Sequence, residues 1–448
     1  MKKLFRYTLI NIVAAGLLCL GACKSSERVR RSSYQPDGAH APALTSELLQ
    51  MGETPSQHAQ PAIVSAPALS PLQQKLEEIL RDSVLETTQA GIDIIDLTTG
   101  ERLYSRGERQ RLRPASSEKM VTAIAALDVL GPQHAFTTQL LSTAAIEGGV
   151  LRGDLYVRGT MDPLLSAADV RALVGQLRNA GVRSVSGRLI ADASFKDSDE
   201  LGWGWCWDDD NPTLSPLLCG GKPRLVDELQ AALRTAGIRT AALSVGTTPA
   251  SARVLAEKRR PLTEVLQRMM KESDNLCAES VFYQLAPLGA AAAAKGGKSY
   301  SRKQAVAVVS AVIDHAYETA PIGLGLPPVA STIADGSGLS LYNYQTPETF
   351  TRLLTYAALR QEQILTPLLA SLPIAAVDGT LKKRMAGTAA AGNVRAKTGS
   401  VSAVSTLVGY TTQLSTGHLI AFAIMNQGLR TMAEGRQLQD RICCVLSE

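Results

Sequence analysis

The segment PASSEKMVTAIAALDVLG, Pro114 to Gly131, puts two serines and a lysine at the mouth of an apolar run. Met120, Ile124, Leu127 and Leu130 predict a helix from about Ser117 with one face turned to a core, and Gly131-Pro132 ends it. On a helix, residues three apart share a face and residues two apart do not. Ser116 can therefore meet Lys119, whereas Ser117 cannot easily do so. A serine hydroxyl becomes a nucleophile when a neighbour takes its proton. A lysine can take it if burial or nearby cations favour the neutral amine. Free N–H groups at the helix start can also bind an oxyanion. By itself, though, Ser-x-x-Lys equally describes a capping serine beside a surface lysine.

Two distant stretches add to it. Ser273-Asp274-Asn275 sits between two helical patterns, and Lys397-Thr398-Gly399-Ser400 closes a strand-like run. Each is commonplace alone. In this order, Ser-x-x-Lys on a helix, Ser-x-Asn at a helical junction and Lys-Thr-Gly on a strand form the set found in penicillin-binding proteins and serine β-lactamases. Longer segments carry the likeness further: GVRSVSGRLIADASF, GWGWCWDDDNPTLSP, PLTEVLQRMMKESDNLCAE, STIADGSGLSLYN and GTLKKRMAGTAAAGNVRAKTGSVSAVSTLVGY. From about Leu72 to the C-terminus the chain resembles the D-alanyl-D-alanine carboxypeptidase/endopeptidase family, the class C, type 4 low-molecular-weight penicillin-binding proteins, or S13 serine peptidases.

The resemblance implies an α/β (α+β) fold: a serine β-lactamase/penicillin-binding-protein-like catalytic domain whose central antiparallel sheet is flanked by helices. It also implies a mixed α/β module inserted between the first and second motifs. The 153 residues between Lys119 and Ser273 hold one such module, shorter than the bulkiest in the family. Ser116 matches the nucleophile and Lys119 the base in acylation. Ser273 matches the proton relay to the leaving amine, and Asn275 the group that holds the substrate amide and orients Lys119. Asp274 is expected to support the backbone. Lys397 matches the third-motif cation, and Thr398 and Ser400 match binders of the substrate's terminal carboxylate. Gly399 is expected to let the strand approach the substrate. The N–H groups of Ser116 and Ser400 would form the oxyanion hole. Asp335-Gly336-Ser337-Gly338 reads locally as a glycine-rich turn and by resemblance as a loop near the cleft. The substrates implied are peptidoglycan stem peptides, with β-lactams as covalent inhibitors and no cofactor.

The start of the chain points to export. MKKLFR is basic, the following apolar run is short for a membrane span, and it ends in Leu20-Gly21-Ala22-Cys23, which resembles a bacterial lipobox. Residues 1–22 are then a lipoprotein signal peptide and Cys23 the lipidated first residue. An ordinary signal peptide with a chance cysteine is the alternative. Lys24 in place of Asp fits outer-membrane sorting, which makes the protein a lipid-anchored periplasmic one. Residues 23–67, rich in Ser, Pro, Ala and Gln, read as a flexible tether. The catalytic domain then occupies 68–137 and 257–448, and the inserted module 138–256. A helix is expected from Leu69 to about Ala90, followed by two strands joined at Thr98-Thr99-Gly100, and a flexible loop over Gly289–Lys298.

Of seven cysteines, two lie in the export segment. Cys206 and Cys219 bracket a loop and form a plausible disulfide in an oxidising compartment. Cys277, Cys443 and Cys444 are either buried thiols or include a bond to Cys277. No cysteine pair has zinc-ligand spacing, so a metal site is not expected. The net charge of +5 is modest for 448 residues and no basic stripe carries interleaved aromatics, which gives nucleic acid binding little support. Trp203, Trp205 and Trp207 read either as a sugar-stacking surface or as packing between module and catalytic domain. Oligomeric state is not legible. Two other functions compete: a catalytically weak cell-wall-binding scaffold, and a serine β-lactamase, for which no dedicated deacylation carboxylate is evident.

Overall fold

In the strand Leu419–Gln427, alternate side chains point to opposite faces, yet both sets are apolar. Ile420, Phe422 and Ile424 join one core and Ala421, Ala423 and Met425 another, all fully buried. A strand apolar on both faces needs a layer on each, and the fold supplies helices on both.

The computed structural model describes residues 69–290, 299–320 and 327–448. Cys23, the signal segment, the tether and residues 291–298 of the expected loop lie outside them. The first elements are α1 (Pro71–Ile79), β1 (Gln89–Asp96), β2 (Arg102–Arg106) and α2 (Glu118–Leu130). Next come β3 (Ala135–Ser142), β4 (Ile146–Glu147), β5 (Val150–Leu151), β6 (Leu155–Gly159), α3 (Ala167–Asn179), β7 (Ser184–Val185) and β8 (Leu189–Asp192). They are followed by α4 (Leu225–Thr235), β9 (Leu243–Val245), β10 (Arg253–Pro261), α5 (Leu262–Lys271), α6 (Asn275–Ala290) and α7 (Arg302–Thr319). The chain closes with α8 (Pro347–Leu359), α9 (Thr366–Ser371), β11 (Arg395–Val401), β12 (Val404–Thr412), β13 (Leu419–Gln427) and α10 (Met432–Ser447).

The first sheet has the order β11-β12-β13-β1-β2 and is antiparallel throughout. One face packs on α1 and α10 through Leu76, Ile92, Leu407, Phe422 and Ile442. The other packs on α2, α5, α6 and α8 through Val408, Tyr410, Ala423 and Met425. The second sheet has the order β10-β3-β6-β8-β9 and is mixed: β3 is antiparallel to β10 and β6, whereas β6, β8 and β9 run parallel. Parallel neighbours require crossover connections, and α3 and α4 provide them, burying Val170, Leu173, Leu229 and Leu233 against Val157 and Leu189. Phe136, Met161, Leu214 and Leu218 from this region join the helical core around α2 instead.

Several local expectations change. α1 stops at Ile79, not near Ala90. Asp82 accepts a hydrogen bond from the Val84 N–H at 3.1 Å and starts a separate 3-10 turn over Ser83–Glu86; such short acceptors compete with helix continuation. α2 has no single apolar face: every residue from Glu118 to Leu127 is buried, as for a helix enclosed on all sides. Gly289 belongs to α6.

Cys206 and Cys219 are free thiols, not a disulfide. Cys219 is buried in the core of the second sheet and begins a turn closed by its N–H to the Lys222 carbonyl at 2.8 Å, while Cys206 is exposed on the tryptophan loop. Cys277 and Cys443 sit in different cores, on opposite sides of the first sheet, and are free as well.

Phe422 is the largest β13 side chain in the α1/α10 core. Phe422→Ala is expected to cost about 3–5 kcal/mol, read as a lowered urea midpoint with an unchanged slope.

Candidate active site

Ser116 lies in a 3-10 turn, Ala115–Ser117, that leads into α2. Ala115 has φ +47°, a left-handed value uncommon outside glycine. The turn is held from below. The Ser117 hydroxyl meets Thr406 Oγ1 of β12 at 2.7 Å, and Thr406 Oγ1 donates to the Pro114 carbonyl at 2.8 Å. Ser117 is fully buried and engaged, so the choice between the two serines falls on Ser116.

Lys119 Nζ stands 3.0 Å from Ser116 Oγ, 2.7 Å from Asn275 Oδ1 and 2.7 Å from the Ser337 carbonyl. Two of these three partners are carbonyl-type oxygens that can only accept. A neutral amine keeps two N–H bonds, which those two oxygens consume, and its lone pair is then left facing the Ser116 hydroxyl. Burial lowers the Lys119 ammonium from its ordinary 10.5 to about 8, against the pull of Asp335, Glu279 and Asp274.

Asn275 opens α6, and the chain before it turns sharply: Ser273 has φ +60°. Asp274 accepts from the Cys277 N–H at 3.0 Å, as a capping carboxylate does, and pairs with Arg268 at 2.9 Å. Ser273 Oγ accepts from Lys397 Nζ at 2.9 Å. Lys397 also donates to the Thr398 carbonyl at 2.6 Å. Burial, with the Lys119 cation beside it, holds Lys397 well below the ordinary lysine range. The five residues expected to do chemistry thus form two hydrogen-bonded groups, Lys119 with Ser116 and Asn275, and Lys397 with Ser273, carried by α2, the α5–α6 junction and β11.

Gly399 is required for a reason other than the expected one. A Cβ there would lie 2.2 Å from Thr406 Oγ1, 2.6 Å from the Pro114 carbonyl and 2.9 Å from the Ser117 nitrogen. The missing side chain lets β11 lie against the nucleophile's own turn. Thr398 donates to Thr380 Oγ1 at 2.9 Å, and with Ser400 it lines a cleft of about 670 Å³ together with Ser116 and Ser273. Lys382, Lys383, Arg384 and Arg436 also line it. This cationic side was not read from the sequence; the run LKKRM, at 381–385, was its signal.

The loop from Asp335 to Gly338 packs directly behind the site. Asp335 takes four donors: the N–H groups of Gly338 and Ser340 and the Trp205 indole at 2.7 Å each, and Asn343 Nδ2 at 2.8 Å. Gly338 has φ +77°, and a Cβ on it would come within 1.8 Å of the Ala115 carbonyl. Gly336 donates to Glu279 at 3.1 Å, and its carbonyl accepts from Thr122 at 2.7 Å. The loop is therefore structural, and its direct contribution to the site is the Ser337 carbonyl on Lys119.

Two buried acids close to Lys119, Glu118 and Glu279, were not anticipated. Burial raises Glu279 to about 8 and Glu118 well above the carboxylate range. Among the tryptophans, Trp205 donates to Asp335 and ties its own loop to the one behind the site. Trp203, half exposed, meets Tyr342, with ring centroids 4.9 Å apart, and the Arg302 guanidinium at 4.8 Å. Only Trp207 is largely free, at 86% exposure.

Residues 72–217 and 222–448 match the D-Ala-D-Ala carboxypeptidase 3 (S13) family. The D-alanyl-D-alanine carboxypeptidase of Actinomadura sp. (strain R39) is 31% identical, covering 94% of this chain and 93% of its own. Penicillin binding protein 4 of Haemophilus influenzae is similar in structure, with a TM-score of 0.67 at 25% identity over 80% of this chain and 94% of that one. A second structure of that protein, complexed with a β-lactam, gives 0.65 at 23% identity over 82% and 98%. With its three motifs gathered at one cleft and the match extending through both parts of the chain, this protein belongs to the D-Ala-D-Ala carboxypeptidase 3 (S13) family.

Proposed function

We propose that this chain is a serine-type D-Ala-D-Ala carboxypeptidase, acting also as an endopeptidase on peptide cross-links, with an acyl-enzyme formed at Ser116. The observation that carries the reading is the buried Lys119 amine, 3.0 Å from Ser116 Oγ, with its remaining N–H groups spoken for. Lys119 takes the Ser116 proton as Oγ attacks the carbonyl carbon of the penultimate D-alanine. The N–H groups of Ser116 and Ser400 receive the oxyanion. As the C–N bond breaks, the leaving amine takes a proton through Ser273, which Lys397 supports. Water then attacks the ester, giving up its proton to Lys119, which returns it to Ser116 Oγ as the ester C–O bond breaks and the shortened peptide departs.

Peptidoglycan stem peptides suit the cleft, because their terminal carboxylate would meet Thr398, Ser400 and a cationic wall. β-Lactams fit as covalent inhibitors, a reading supported by the β-lactam complex of the Haemophilus relative. No Asp or Glu is among the residues lining the cleft, which favours a slowly deacylating penicillin target over a β-lactamase. A mere scaffold would have no use for two buried lysines at a solvent-accessible serine. The chain works in the periplasm, held at the outer membrane through a lipidated Cys23; the support for this is the leader and its Leu20-Gly21-Ala22-Cys23 ending.

Three outcomes are expected. Labelled penicillin binds covalently to the purified wild type and to Ser117→Ala, whereas Ser116→Ala neither labels nor releases D-alanine from stem peptides; labelling that survives in Ser116→Ala refutes the assignment. The acylation rate should climb with pH through about 8, as Lys119 loses its proton, and stopped-flow acylation across that range checks it. Cys23→Ser should abolish incorporation of radiolabelled fatty acid and release the protein from the membrane fraction.

A further inference from the structure

Glu279 lies four residues after Asn275 on α6, so the two side chains share a helix face. Asn275 uses that position to hold Lys119. Glu279 uses it to hold the neighbouring loop: its Oε1 accepts from the Gly336 N–H at 3.1 Å, next to Ser337. The Ser337 carbonyl in turn receives Lys119 Nζ. Glu279 is 1% exposed and does not line the cleft. It therefore reaches the reaction only through Lys119 and the loop.

The donor count separates the acids around Lys119. Asp335 has four donors, enough to solvate a carboxylate fully. Glu118 has one, Gln345 Nε2 at 3.0 Å, and its Oε2 has no partner. Glu279 likewise has one, the Gly336 N–H. A second and third negative charge beside Asp335 would be both desolvated and repelled. The charged or titratable groups that face this pocket are Lys119 and Glu118 from α2, Asp335 from the loop, Asp274 just before α6, Cys277 and Tyr283 from α6, and Lys397 from β11.

Resting on the assignment of Lys119 as the base, we propose that Glu279 is a positioning residue that holds the Ser337 carbonyl against Lys119, and that it does so as the neutral acid while Lys119 is the neutral amine. Removing one proton from the pair gives two arrangements. With the proton kept on Glu279, Lys119 has its lone pair for Ser116. With it kept on Lys119, the result is an inactive ion pair. The two groups then titrate as a couple and not one by one, and the fraction in the active arrangement sets the acylation rate.

Glu279→Gln tests this. The amide oxygen still accepts from Gly336, but the side chain cannot ionise, so the inactive ion pair is eliminated. The midpoint of the penicillin acylation rate against pH should move down by about half a unit to one unit, so that at pH values below the wild-type midpoint the variant acylates several-fold faster relative to its own plateau. A purely structural role would lower the rate at every pH and leave the midpoint in place; an unmoved or raised midpoint overturns the proposal. Should the variant not fold, the wild type gives an independent reading by carbon-13 NMR with labelled glutamate. A glutamate carboxyl that stays protonated at neutral pH and titrates alongside acylation is expected, and glutamates that all ionise in the ordinary acidic range overturn it. Loss of the Lys119 assignment itself would show differently, as penicillin labelling that persists in Ser116→Ala.

Discussion

The site depends on keeping one lysine amine out of water while leaving it a single useful direction. Lys119 is enclosed by α2 and α6 and by the Asp335–Gly338 loop, and two oxygens that cannot donate fix its N–H bonds. Everything close by serves that arrangement. α2, buried on every side from Glu118 to Leu127, excludes solvent, the α5–α6 turn presents Asn275, and the loop brings a carbonyl in place of a side chain. Burial makes the neutral amine accessible near neutral pH, and the same burial makes any unpaired charge nearby costly. Lys397, equally buried and on the opposite side of Ser273, extends the constraint to the leaving-group side.

The segment between β8 and α4 also bears on this arrangement. The Trp205 indole donates to Asp335, whose remaining acceptor sites take loop and Asn343 donors. A segment far from the three motifs in sequence thereby helps hold the loop that touches Lys119.

Much of this was legible in the sequence. Spacing alone paired Ser116 with Lys119, and the separated Ser273–Asn275 and Lys397–Ser400 motifs supplied partners that the structure brings within hydrogen-bond reach. The layered fold followed from the resemblance and from strands such as Leu419–Gln427. What was not legible depends on contacts between distant segments. Thr406 pairs with Gly399 across β11 and β12, which gives Gly399 its purpose, but nothing near either residue announces it. Glu118 and Glu279 look like ordinary helix-surface residues until α2 and α6 are seen to be enclosed. The disulfide expected between Cys206 and Cys219 is not formed because the chain between them buries Cys219 in the core of the second sheet and leaves Cys206 exposed on a loop, which proximity in sequence does not announce. The first helix ran too long on paper because apolar spacing continued past Asp82, whose side chain diverts the backbone.

β11 is the outer strand of the first sheet. An unpaired outer strand ordinarily invites another chain to add, which in a soluble protein leads toward aggregation. Here the start of the strand is covered by a bridge from Ile374 to Arg395, and the stretch from Lys397 to Ser400 is left open beside the serine. Lys382, Lys383 and Arg436 stand around that opening. Like charges on two copies repel, so self-association through this edge is discouraged, while an extended peptide ending in a carboxylate is drawn in and can lie along the strand as a temporary sixth member of the sheet. The same three cations that disfavour a second copy at this edge favour an anionic chain end there.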